Sequence, residues 1–206
     1  MNKLRMVLVG IIVSGLFVGF MPSKPSLDLQ YLQDCTVQVL CADGGWGSGV
    51  FIGPDIVVTA AHVADGEPNR VLLNDRTILN IIEISISENC DVAILRVEGT
   101  HDFVPLGGEV ALGDLVYHIG TPLEKEFFNC LFKGIVCQTN VDWYIWSDGF
   151  IMDAWSAHGC SGGPVFNEKG ELVGLLVGGS AYGSGICETL EHIKQTLLEC
   201  EVVLQK

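Results

Sequence analysis

Basic residues are scarce in this sequence: 11 Lys and Arg stand against 25 Asp and Glu, for a formal net charge of −14. A surface of that sign repels phosphate backbones, so nucleic acid is not expected as a partner. There is no internal repeat at a period of about 20 to 50 residues and no low-complexity tract, which argues against solenoid and propeller architectures. Neither a C-x-x-C nor an H-x-x-x-H spacing occurs, so metal binding is the weaker reading of the cysteines and no cofactor is implied.

The long charge-free run is confined to the start, from Met6 to Met21, and follows Lys3 and Arg5. That pattern over residues 1–21 reads as either a cleaved export signal or a retained membrane anchor. No clean A-x-A cleavage site follows it, and both outcomes export the folded domain. The expected location is therefore secreted, periplasmic or membrane-anchored outside the cytoplasm, with membrane contact only through this segment. Eight cysteines (Cys35, Cys41, Cys90, Cys130, Cys137, Cys160, Cys187 and Cys200) fit an oxidising compartment, with the pairing left open. A hairpin turn at Lys133-Gly134 would set Cys130 opposite Cys137 and make one bridge possible. Cys35 and Cys41 on one extended strand are about 20 Å apart and cannot bridge.

With 25 Gly and many short Val/Ile/Leu runs, the chain favours a β-rich domain over a helical bundle. A linker is expected over residues 22–33. Strand-like runs then follow at Cys35–Cys41, Gly49–Ile52, Ile56–Thr59, Arg70–Leu73, Ile78–Ile86 and Val92–Val97. After a loop-like passage from Glu98 to Asp114 they resume at Leu115–Ile119, Cys130–Gln138, Trp143–Trp146, Phe150–Asp153, Gly163–Phe166 and Leu172–Val177. From Glu188 the period changes, and Leu190, Ile193, Leu197 and Leu198 predict an amphipathic terminal helix.

Three segments carry chemistry. Gly159-Cys160-Ser161-Gly162-Gly163-Pro164 sets a serine on backbone that tolerates positive φ and close approach. In such a turn the N–H groups of Gly159 and Ser161 can converge as an oxyanion hole. A serine hydroxyl needs a base, and Thr59-Ala60-Ala61-His62 offers an imidazole at the end of an apolar run. The imidazole needs a carboxylate to fix its tautomer, and Asp91 heads the run Asp91-Val92-Ala93-Ile94-Leu95. Each feature alone is weak: a histidine at a strand end is usually structural, and an aspartate before a strand is usually a cap.

In this order the motifs resemble the trypsin/chymotrypsin-like serine proteases, and more closely their bacterial HtrA (DegP-like) branch. The likeness runs from about Thr36 to Leu198 and includes Gly47-Ser48-Gly49 and the stretch Leu112 to Pro122. It implies an all-β fold of two six-stranded antiparallel β-barrels with a C-terminal α-helix. The barrels are expected over 34–106 and 107–186, and the helix over 187–206. It also implies a serine endopeptidase acting on protein or peptide substrates through an acyl-enzyme. His62, Asp91 and Ser161 would be catalytic, and Gly159 and Ser161 would form the oxyanion hole.

Cys160 departs from the pattern, standing where digestive proteases have Asp and the HtrA branch has Asn. That argues against activation by cleavage, and a buried or bridged thiol is the expected role. No PDZ domain is expected after the helix. By distance from Ser161, Trp155 falls near the base of the specificity pocket, His158 on its lip, and Val177, Gly178 and Gly179 along its wall. No Asp marks the base, so the expected preference is a small or medium apolar side chain. His101, His118 and His192 read as structural or exposed. The alternatives are a catalytically inactive protease-like binding module and an esterase built on the same machinery. Oligomeric state is not legible.

Overall fold

The computed structural model describes residues 27–143, 146–180 and 183–204. The proposed export segment over 1–21 lies outside the described residues, as do residues 22–26. A short helix, α1 (Leu29–Asp34), opens the described chain and is capped by the Asp28 side chain. The stretch expected as linker therefore contains this helix, whose Leu32 is buried between the two barrels.

The first barrel closes in the order β1-β2-β3-β6-β5-β4. Its strands are β1 (Thr36–Cys41), β2 (Trp46–Gly53), β3 (Ile56–Thr59), β4 (Pro68–Leu72), β5 (Ile78–Ile86) and β6 (Ala93–Val97), with the one-turn helix α2 (Ala61–Ala64) after β3. The second closes as β10-β11-β12-β9-β8-β7. It is built from β7 (Leu115–Gly120), β8 (Cys130–Trp143), β9 (Trp146–Trp155), β10 (Pro164–Phe166), β11 (Leu172–Gly179) and β12 (Ser184–Thr189), followed by helix α3 (Leu190–Glu199). Two closed six-stranded antiparallel barrels with a C-terminal helix is the expected architecture.

Strand periodicity explains why β2 is buried almost throughout. Successive side chains face opposite ways: Phe51 fills the first barrel's interior, whereas Val50 and Ile52 pack between the barrels with Phe166, Leu172 and Leu175. In β3, Val57 likewise faces inward, and Ile56 and Val58 face the partner barrel. Helix α3 adds Leu190, Ile193 and Leu197 to that shared core. Leu198, expected on the same apolar stripe, points to solvent, and Thr196 is buried in its place, its hydroxyl donating to the His192 carbonyl at 2.8 Å.

Other expectations fail in instructive ways. Lys133-Gly134 is not a turn: both lie mid-strand in β8, opposite Tyr117 and Val116. A Cβ on Gly134 would sit 2.3 Å from Asp153 Oδ1, so close backbone approach, not turn geometry, requires this glycine. Cys130 and Cys137 share one strand, about 23 Å apart at 3.3 Å per residue, and cannot bridge. All eight cysteines are free thiols in the structure. Trp143–Trp146 is not a strand of its own: Trp143 ends β8 and Trp146, paired with it, begins β9. Cys187, expected to open the helix, lies in β12, a strand that is not among the runs read from sequence.

Candidate active site

The cleft gathers groups from both barrels. Chain leaving β3 passes through Ala60 into helix α2, which carries His62 at its second position. Asp91 lies just before β6 and is buried. One carboxylate oxygen accepts the His62 backbone N–H at 2.9 Å, and the other meets ring Nδ1 at 2.7 Å. A carboxylate only accepts, so Nδ1 carries the proton and Nε2 keeps its lone pair. The ring itself is 44% exposed, whereas the Asp91 side chain is 4% exposed.

Ser161 sits on the turn before β10, and both barrels grip that turn. Its carbonyl accepts the Ser48 N–H from β2 at 2.7 Å, while Gly162 N–H donates to Leu176 of β11 at 2.7 Å. Ser48 Oγ donates to the Gly159 carbonyl at 2.8 Å and accepts the Thr121 N–H at 3.1 Å. Gly159 has φ +89°, and a Cβ there would lie 2.2 Å from the Thr121 oxygen. Gly162 has φ +80°, with Ser48 O also 2.2 Å from its would-be Cβ. Both positions therefore demand glycine on two counts. Among the described residues, the N–H groups of Gly159 and Ser161 donate to no protein atom. Two unpaired N–H groups flanking a serine suit a developing oxyanion. Cys160 between them is fully buried, and burial pushes its thiol up to about 11, which keeps it protonated and unreactive.

A cleft of about 730 Å³ opens beside these groups. His62 and Ser161 line it together with Trp155, His158, Val177, Gly178 and Gly179, so all five residues assigned to the pocket by sequence distance border it. Among the described residues, no Asp, Glu, Lys or Arg lines it. Trp155 is 44% exposed and lies against the Phe132 ring. The next residue, Ser156, is 7% exposed, lines the same cleft, and its hydroxyl has no partner. A second hollow of about 310 Å³, lined by Cys41, Asp43 and Trp46, shares His62, His158 and Ser161 with the first.

Sequence reading missed four contributors. Ser48 was visible only as part of the Gly47-Ser48-Gly49 motif and Trp46 was not singled out, yet Trp46 Nε1 donates to Thr121 O at 3.0 Å and its ring packs against Gly159. Glu188 and His192 stand behind Asp91: Glu188 Oε1 accepts the Asp91 N–H at 2.9 Å, and its other oxygen meets His192 Nδ1. Their i, i+4 spacing across the start of a helix was the available signal.

The family described as "Trypsin-like peptidase domain" matches residues 47–175, and the chain belongs to it. The protein named "Probable periplasmic serine endoprotease DegP-like" from Pseudomonas putida (strain GB-1) is 38% identical over 139 residues, 63% of this chain and 28% of that protein. The mouse (Mus musculus) protein named "Peroxisomal leader peptide-processing protease" is 32% identical over 148 residues, 64% of this chain and 25% of that protein. The chain thus spans only about a quarter of the length of these relatives. Among solved structures, an inactive serine-to-alanine mutant of Rv3671c from M. tuberculosis H37Rv superposes with a TM-score of 0.70. That match covers 86% of this chain and 92% of the other at 22% identity, a likeness of fold.

Proposed function

We propose that the protein is a serine endopeptidase in which Ser161 is the nucleophile, His62 the general base and acid, and Asp91 the group that orients His62. The observation that carries this reading is the doubly bonded Asp91 carboxylate, which holds the His62 ring with Nε2 free in the cleft that Ser161 lines. Ser161 Oγ attacks the peptide carbonyl carbon as its proton passes to His62 Nε2. The N–H groups of Gly159 and Ser161 hold the oxyanion. Collapse of the tetrahedral intermediate expels the amine, protonated by His62, and leaves an acyl-enzyme that water hydrolyses. The uncharged cleft favours substrates with an uncharged side chain before the scissile bond, with Val177, Gly178 and Gly179 as wall.

Export of the domain through residues 1–21 belongs to the same reading, supported by the periplasmic location in the names of the bacterial relatives. Among the described residues no helix is long and apolar enough to cross a membrane.

Labelling of the folded protein with a fluorophosphonate tests the assignment. Labelling that disappears in both Ser161→Ala and His62→Ala supports it. A folded wild type that stays unlabelled would return the site to the reading of an inactive binding module.

A further inference from the structure

Behind Asp91 lies a second carboxylate that the proposed reaction does not use. Glu188, at the end of β12, is 1% exposed, and each of its oxygens has one partner. Oε1 accepts the backbone N–H of Asp91 at 2.9 Å, reaching from the second barrel to the first. Oε2 meets Nδ1 of His192 in the first turn of α3, a ring whose side chain is 14% exposed.

Burying a carboxylate is unfavourable unless it is both hydrogen-bonded and compensated in charge. Here Asp91, another buried anion, is its immediate neighbour, so an unpaired Glu188 would face repulsion as well as desolvation. His192 relieves this: its imidazole is held above the ordinary histidine value, first by the hydrogen bond its Nδ1 donates to Glu188. The Asp91 N–H and carboxylate hang from the same Cα. Fixing the first holds the Cα from which the second reaches, and the second holds both the ring and the main chain of His62.

We propose that Glu188 is a positioning residue for the reaction: reaching across the barrel interface, it clamps the main chain of Asp91 so that the Asp91 carboxylate meets His62, while His192 holds its other oxygen. The proposal deepens the assignment of His62, Asp91 and Ser161 and rests on it. A structural role alone would need only that the buried N–H be satisfied. Positioning requires in addition that the acceptor be held at this reach.

Two variants separate reach from charge. Glu188→Gln keeps an oxygen at the same distance and removes the charge, whereas Glu188→Asp keeps the charge and withdraws it by about 1.5 Å. A displacement of about 1 Å at a reacting group lowers rate about a hundredfold. In the full-length protein, Glu188→Gln is expected to react with the fluorophosphonate within about threefold of wild type, while Glu188→Asp and Glu188→Ala fall about ten- to a hundredfold. KM for a peptide substrate stays unchanged in each. The far-downfield NMR signal of the His62 Nδ1 proton should persist in Glu188→Gln and broaden or vanish in Glu188→Asp. Thermal unfolding is followed for each variant, and if Glu188→Ala does not fold, the Gln and Asp pair carries the comparison.

Equal rates and equal proton signals for Gln and Asp in folded protein would overturn the proposal, as would a Gln variant as slow as Asp. A wild type that does not label, but whose His62 proton signal responds to Asp and not to Gln, would sink the proteolytic reading and leave the clamp standing.

Discussion

Asp91 stands between two histidines, and the contrast between them separates the pair proposed to react from a supporting one. His62 meets a carboxylate at Nδ1 and so does His192, and in both cases the carboxylate is buried. The rings differ in exposure. His62 is 44% exposed on a one-turn helix and opens onto the cleft beside Ser161, whereas His192 is 14% exposed beneath the start of α3. The same chemical pair thus leaves one ring open to a reacting partner, as the proposed base requires, and packs the other away from the cleft.

The contrast breaks most severely at the reactive pair. Ser161→Ala or His62→Ala should reduce kcat about a million-fold, whereas His192→Ala should remain within about a hundredfold of wild type. Steady-state kinetics on a peptide ester reads both. Asp91→Asn should lower kcat about ten-thousandfold with the fold intact, because an amide stabilises the wrong imidazole tautomer. Equal losses for Asp91→Asn and His192→Ala would erase the distinction.

Stability against pH sharpens the comparison through a third histidine. His118 is fully buried, its Nε2 has no partner, and burial lowers it to about 4. Its folded value lies below its unfolded one, so the neutral ring stabilises fully above about pH 6.5, and that contribution fades as pH falls toward 4. His118→Phe should therefore flatten the acid limb of Tm against pH. His192 has the opposite sign. Raised by Glu188 first, then by Asp148 and Glu191, it stabilises fully below the unfolded value and loses that contribution as pH rises through the folded one. His192→Phe should therefore remove a smaller alkaline slope in the same measurement.

What could be read from sequence follows the range of the signal. Ile56–Thr59 and Ile78–Ile86 coincide with the observed strands because alternating or continuous β-branched runs are local features. The glycines around Ser161 were legible as a turn for the same reason. Cys130 and Cys137 were misjudged because Lys133-Gly134 looks like a hairpin turn until Asp153 and Ala154 on the neighbouring strand are known to crowd Gly134. β12 escaped because Ser184 and Gly185 have little intrinsic strand preference, and its strand character comes from pairing with β9 and β11. Glu188 and Ser48 escaped for a deeper reason. Each acts on a partner 97 and 73 residues away in sequence, respectively, and no local pattern records that.

The position of β12 and α3 along the chain bears on when the site can form. During synthesis His62, Asp91 and Ser161 are all made before residue 184 is. Until then β9 and β11 lack the strand that lies between them, and the Asp91 N–H has no acceptor. On the proposed reading the last strand and helix act as a timer: the second barrel closes only when the segment from Ser184 to Thr189 has been made and has docked, so a chain that stops short of it carries all three groups without holding them in place.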